Sequence, residues 1–329
     1  MSRLHLGLHI LFLCSIVLAH QSFGGRVHQI NQEETAGVSP EILSVEAKAS
    51  SPQDMNPSLN SSHTVSSIHV HLPYPFPPQL GADTYFASYM TQERDSGYFG
   101  VIATMDVYGY DLKEGQMSSG SIYVTNFEGQ NNDQIVVGWM VSPPRYNDSK
   151  THLSTGWVKD GAHNSICGDL DCPGLQLVSG SPIFPSDIIS PVTEGNGARQ
   201  TITIKVLKDK SSGDWWLHCG VNGDPIPIGY YPASLFDRLS MKATHIILGG
   251  VVSRSPTTGL PPMGSGAFPS DSDKAAVIRD IQLIDQDGTS TPIGDDMPAQ
   301  ITDFRVYSVS PMVGSKFSYG GPRKIQSNM

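Results

Sequence analysis

A pair of carboxyl groups held in different protonation states, a serine backed by a histidine, or a cluster of imidazoles and thiols would each supply hydrolytic chemistry. This chain is sparing with all of them. No Gly-x-Ser-x-Gly elbow and no His-Glu-x-x-His helix occurs, so serine-hydrolase and zinc-peptidase chemistry has no local support. Ser265 lies between two glycines in a turn-like word. Asp95-Ser96-Gly97 has the composition of an aspartic-peptidase tripeptide, but Glu93-Arg94 before it is no apolar strand and no second copy follows, so it reads as a turn. His69-Val70-His71 sends its imidazoles to opposite sides of an extended segment, which is poor chelating geometry. Beyond Tyr85 the glutamates are Glu93, Glu114, Glu128 and Glu194, and none follows Glu194. No metal and no cofactor is expected.

The chain has 329 residues with 16% charged side chains and a net charge of -10, without a basic cluster that could neutralise phosphates. That balance argues against nucleic acid and anionic membrane surfaces as partners. Arg3 followed by the apolar run Leu6 to Leu18 and by Val17-Leu18-Ala19 predicts a secretory signal over residues 1–19. No later run is apolar and long enough to span a bilayer, so a secreted, extracellular product is expected. In an oxidising compartment the close pair Cys167 and Cys172 is the expected disulfide, which leaves Cys219 as a buried thiol or an intermolecular bridge. Asn60-Ser61-Ser62 and Asn147-Asp148-Ser149 are glycosylation sequons.

The elements that must position any site follow from periodicity. Residues 20–72 are too polar for a packed core and read as a flexible leader or propeptide remnant. Residues 73–84, opened by Pro73-Tyr74-Pro75-Phe76-Pro77-Pro78, read as an extended hinge. From 85 to 329, short β-branched or aromatic runs alternate with Gly, Pro, Asn and Asp turns, the rhythm of an all-β, antiparallel two-sheet sandwich. Predicted strands are Ser121–Phe127, Gln134–Val141, Thr201–Leu207, Thr244–Val252, Ala276–Ile284 and Phe304–Ser308, with one short helix at Pro232–Leu239.

A series of words in this order resembles the neprosin family of plant secreted proteins, whose peptidase members are glutamic prolyl endopeptidases. The words are Val137-Gly138-Trp139-Met140-Val141-Ser142-Pro143, Cys167 to Cys172 with Pro173-Gly174, Gly213-Asp214-Trp215-Trp216-Leu217, Gly229-Tyr230-Tyr231-Pro232, Leu248-Gly249-Gly250, Met263-Gly264-Ser265-Gly266 and Tyr319-Gly320-Gly321-Pro322. The resemblance implies a glutamic-peptidase-like sandwich with two catalytic glutamates facing each other across a concave cleft, one standing two residues before the Gly-Trp pair and one directly after the Gly-Gly pair. Here those positions hold Val136 and Val251. The chain also departs from the family pattern at Ser154-Thr155-Gly156-Trp157, Leu175 and Ala267, and its leader lacks the usual propeptide cysteine.

Two-carboxyl hydrolysis needs one ionised group to activate water and one protonated group to donate, and valine does neither. The expectation is therefore a non-catalytic protein that keeps a groove for an extended, proline-containing peptide or a cell-wall polymer in the apoplast. The expected cleft lining is Gln134, Gly138 and Trp139 with Gly249, Gly250 and Ser253, and Trp215 and Trp216 as aromatic candidates. Strand alternation puts Gln134 and Gly138 on the face of Val136, and Gly249 and Ser253 on that of Val251, with Asp133 pointing away. Three alternatives stay open: an active glutamic or aspartic-type endopeptidase using a displaced carboxylate such as Asp133, a carbohydrate-binding module, and a decoy that sequesters a peptidase's substrate or inhibitor.

Overall fold

A computed structural model of the chain describes residues 82–128, 131–160, 166–194, 197–270 and 273–323. The expected signal, leader, most of the hinge and the Asn60 sequon lie outside them. The strands in chain order are β1 (Asp83–Met90), β2 (Gly100–Asp106), β3 (Gln116–Glu128), β4 (Asn131–Val141), β5 (Thr151–Val158), β6 (Ile166–Gly168), β7 (Gln176–Leu177), β8 (Thr201–Lys208) and β9 (Trp215–Val221). They continue with β10 (Ile226–Tyr231), β11 (His245–Arg254), β12 (Met263–Gly264), β13 (Ala276–Ile284), β14 (Ser290–Pro292), β15 (Ala299–Ile301), β16 (Ser308–Val309) and β17 (Phe317–Gly321). One sheet runs β15-β1-β11-β3-β4-β5-β6 and the other β12-β17-β13-β2-β8-β9-β10-β7, with β14 on β13 and β16 on β17. All of these pairings are antiparallel.

Period-two alternation sets the layers. In β8 every second residue is buried, so Ile202, Ile204 and Val206 enter the core. From the facing sheet come Ile135, Val137 and Trp139 of β4 and Ile246, Leu248 and Val252 of β11. Trp139 is wholly buried, and its indole N–H donates to the Asp106 carbonyl at 2.9 Å, which meets the need of a buried indole for an acceptor. The Asp106 carboxylate, itself shielded from solvent, is held between Arg199 and Arg279.

Two predicted elements change. Phe304–Ser308 is not a strand, because the N–H groups of Val306 and Tyr307 both turn back to the Asp303 carbonyl and only Ser308–Val309 pairs. The helix expected over Pro232–Leu239 shrinks to one 3-10 turn, Ala233–Leu235. Its downstream backbone is claimed elsewhere: the Asp133 carboxylate accepts the N–H groups of Arg238 and Leu239, while the indole N–H of Trp215 donates to the Leu239 carbonyl.

Cys167 and Cys172 are bridged, and Cys219 is a free, buried thiol. Burial pushes the Cys219 thiol up to about 12, so little reactive thiolate forms near neutrality. The native protein lacking the expected signal, and with it Cys14, is expected to resist a colourimetric thiol reagent and to release one equivalent per chain after denaturation; rapid labelling of the folded protein would contradict that.

Candidate functional site

The face of the seven-stranded sheet turned away from the core carries a second apolar cluster, made of Met117, Tyr123, Val136, Met140, Ile247 and Val251, with Phe86, Met90, Phe127 and Tyr146 packed against it. Cross-strand register orders this face into rows. Ser88, Gly249, Ser121, Gly138 and Ser154 are partners in turn across β1, β11, β3, β4 and β5. On one side of that row run Ile247, Tyr123, Val136 and Gly156, and on the other Val251, Ser119, Met140 and His152. A row of small side chains is thus walled by larger ones.

The two glycines of the small row explain its shape. A Cβ added to Gly138 would sit 2.0 Å from the Gly120 carbonyl oxygen, and one added to Gly249 would sit 2.4 Å from that of Ala87. The neighbouring backbone therefore stands on the outer side of each glycine, and the sheet curls toward this face, the close approach that glycine in a strand permits. Either glycine changed to alanine would force the strands apart.

Val136 and Val251 share the face and the cluster, at 2% and 1% exposure. They are not directly opposed. They lie two strands apart and four residues out of register, on a diagonal over Ser121, roughly 10 Å sideways and roughly 13 Å along in a flat sheet. Gln134, Gly138, Gly249 and Ser253 also occupy this face. The other expected lining residues do not. Trp139 and Trp215 point into the inter-sheet core, Gly250 backs onto Met263 and Tyr319 in that core, and Trp216 stacks on Tyr230 at 4.9 Å on the outside of the ten-stranded sheet. In each case strand alternation decides the side: each sits one residue out of phase with the outer face or on the other sheet.

Asp133 is on the core side of β4 with a fully buried side chain, and accepts backbone N–H groups from Asp160, Arg238 and Leu239. It is a structural acceptor, and its carboxylate cannot reach the outer face without reversing the strand's alternation.

A polar network that the sequence reading missed closes the margin beside β5. The His152 ring stacks on Tyr146 with centroids 4.0 Å apart, its Nε2 lies 2.9 Å from an Asp148 carboxylate oxygen, and its Nδ1 lies 2.6 Å from the Ser186 carbonyl. Burial pushes the Asp148 carboxyl up, but the hydrogen bonds from His152 and the Lys150 N–H outweigh it and hold the group below the usual carboxylate range. The Tyr146 hydroxyl donates to Asp169 at 2.9 Å, and Arg145 bridges Asp169 and Asp171. Burial raises the Tyr146 phenol, so it stays a donor. Asp148, Asp169 and Asp171 are thus each engaged by neighbouring groups. The word Asn147-Asp148-Ser149 was visible only as a sequon; Asn147 is exposed at the left-handed cap of the short helix Pro143–Tyr146.

At the far end of the rows, where Phe127 meets Asn132 across β3 and β4, a cavity of about 720 Å³ opens between Phe127, Thr244, Met241, Asp160, Arg238 and Glu93. Phe127 leans on the His245 ring, 5.4 Å away, and burial holds that imidazole below its ordinary value despite Glu93. Among the described residues no group of three or more His, Cys, Asp or Glu could hold a metal, and no helix is long and apolar enough to cross a membrane.

Scytalido-glutamic peptidase, solved with a transition state analog inhibitor, aligns at 13% identity and a TM-score of 0.41, over 73% of this chain and 99% of that one. SCP-B, a member of the Eqolisin family of peptidases in complex with the tripeptide Ala-Ile-His, aligns at 12% identity and 0.40, over 73% and 99%. The Neprosin family model matches residues 114–322, a span that contains β3 to β17 and every residue of the outer face except those of β1. This chain therefore belongs to the neprosin family.

Proposed function

We propose that the protein is a non-catalytic neprosin-family member, acting outside the cell, that holds an extended, proline-containing polypeptide against the curled outer face of its seven-stranded sheet. The observation that carries this reading is the occupation of both family glutamate positions by Val136 and Val251 within one apolar cluster. A positioned acid or base is worth about 10²–10⁴-fold in rate, so the loss of both removes measurable turnover. The nearby acids offer no replacement, since Asp133 faces the core while Asp148 and Asp169 are bound to His152, Arg145 and Tyr146. A polypeptide suits the face better than a glycan, because none of the three tryptophans expected there lines it: Trp139 faces the core, and Trp215 and Trp216 belong to the other sheet.

The test is incubation of the purified protein with proline-rich peptides from acid to neutral pH, read by mass spectrometry beside fluorescence-anisotropy binding of the same peptides. Binding without cleavage is expected. Specific cleavage that co-purifies with the folded protein would overturn the reading.

A further inference from the structure

We infer that Gln134, together with Asn132, reads the backbone of a bound polypeptide lying along β4, taking the N–H and C=O of alternate residues while leaving the residue between them free to be proline. The inference rests on the reading that this face holds a polypeptide. Its basis is an unmet hydrogen-bonding demand. Gln134 is 0% exposed, yet neither its Nε2 nor its Oε1 has a partner, and the same is true of Asn132 Oδ1 and Thr125 Oγ1. Buried polar side chains nearly always find partners, because an orphaned group has lost its hydration without replacement.

The four atoms are not scattered. Thr125 is the cross-strand partner of Gln134, and Asn132, two residues before Gln134 on the same face, is the partner of Phe127 at the mouth of the cavity. A carboxamide offers one donor side and one acceptor side, which matches the paired C=O and N–H that an extended residue presents along one edge. Residues two apart on β4 repeat at roughly 7 Å, the same period at which an extended ligand presents such pairs on one edge. The intervening residue points its own N–H the other way. Proline, which lacks that N–H, fits there and is refused opposite Gln134. Beyond Gln134 the next residue on the face is Val136, which offers no hydrogen bond, so the polar reading ends where the apolar cluster begins.

The experiment uses the full chain and Gln134→Met, an unbranched replacement of similar length, with two fluorescent probes: (Ala-Pro)5 and the same decapeptide built from N-methylalanine. Without peptide, Gln134→Met is expected to raise the melting temperature by about 2–4 °C, because an unpaired buried amide is replaced by an apolar chain. With (Ala-Pro)5, the parent protein is expected to bind about tenfold more tightly than the variant, and N-methylation is expected to cost the parent about tenfold more than it costs the variant, which keeps only the Asn132 acceptor. A lower melting temperature for Gln134→Met, or equal affinity of parent and variant for (Ala-Pro)5, overturns the inference while leaving the wider reading in place. Failure of the parent to bind either probe or any other proline-containing peptide overturns both.

Discussion

Val136→Glu and Val251→Glu are each expected to destabilise the protein by about 3–5 kcal/mol at neutral pH, with much of the loss returning as the pH is lowered to about 4. Each position is almost fully buried among Met117, Tyr123, Met140 and Ile247. A carboxyl placed there meets chiefly desolvation, which lifts its folded-state pKa above the ordinary carboxylate value, at about 1.4 kcal/mol for each tenfold change in acidity. The sign follows from proton counting. Between the unfolded pKa near 4.3 and the raised folded value, the native state keeps a proton that the unfolded chain has lost, so stability falls as pH rises through that window. Below about pH 4 both states are protonated and only the steric cost of the longer side chain remains, about 1–3 kcal/mol. Urea unfolding of parent and variants at several pH values measures it. A variant whose stability does not depend on pH would mean the site is solvated, and the apolar cluster would then be no obstacle to an acid.

The cluster was only partly legible in the amino-acid pattern. Alternation in Gln134–Val141 and Thr244–Val252 was enough to set Gln134, Gly138, Gly249 and Ser253 on the faces of Val136 and Val251, because a period of two admits no other arrangement within an unbroken strand. Ala276–Ile284 was bounded correctly, and the structure extends β3 and β11 by a few residues beyond the expected ends. What alternation cannot supply is register between strands. The offset that puts Val136 and Val251 on a diagonal comes from how β3 pairs with both neighbours, and no residue of β4 or β11 encodes that locally. The side on which a tryptophan pair falls depends likewise on which sheet its strand joins, so alternation sends one of Trp215 and Trp216 inward and the other outward without saying which, or on which sheet.

The aromatic and polar margin was hidden for a different reason. Tyr146, His152 and Asp169 are separated in sequence by a helical turn, β5 and β6, and they meet only because the end of β6 folds back beside β5. β1 was missed because its alternation is blurred: four successive residues, Ala87 to Met90, are buried or half-buried on both faces, between β11 and β15. Its Phe86 and Met90 nonetheless complete the outer cluster. The predicted helix at Pro232–Leu239 failed through a long-range competitor, the Asp133 carboxylate, which a local propensity argument cannot see.

That competitor leads to the second large effect. Asp133→Ala is expected to cost about 3–5 kcal/mol of stability and Asp133→Asn about 1–2 kcal/mol, neither with any gain or loss of peptide hydrolysis. In the parent the carboxylate accepts three backbone N–H groups, from Asp160, Arg238 and Leu239, and so ties the turn after β5 to the segment after the 3-10 turn. Alanine leaves the N–H groups of buried Leu239 and half-buried Arg238 without that acceptor, and releases that of Asp160, an exposed residue. Asparagine keeps one carbonyl oxygen, which can still serve Arg238 and Leu239, and turns an amide N–H₂ toward the Asp160 N–H, so only that contact becomes repulsive. Asp160 and Arg238 also line the cavity at the end of the outer face and pair with each other at 3.1 Å. Loosening their anchor should therefore weaken binding of (Ala-Pro)5 in proportion to the loss of fold, with Asp133→Ala affected more than Asp133→Asn. Chemical denaturation, anisotropy titration and a cleavage assay on the two variants separate the alternatives. Were Asp133→Asn to keep the parent's stability and abolish a turnover that the parent possesses, the carboxylate would be chemical rather than structural, and the strand would have to bulge to bring it across the sheet.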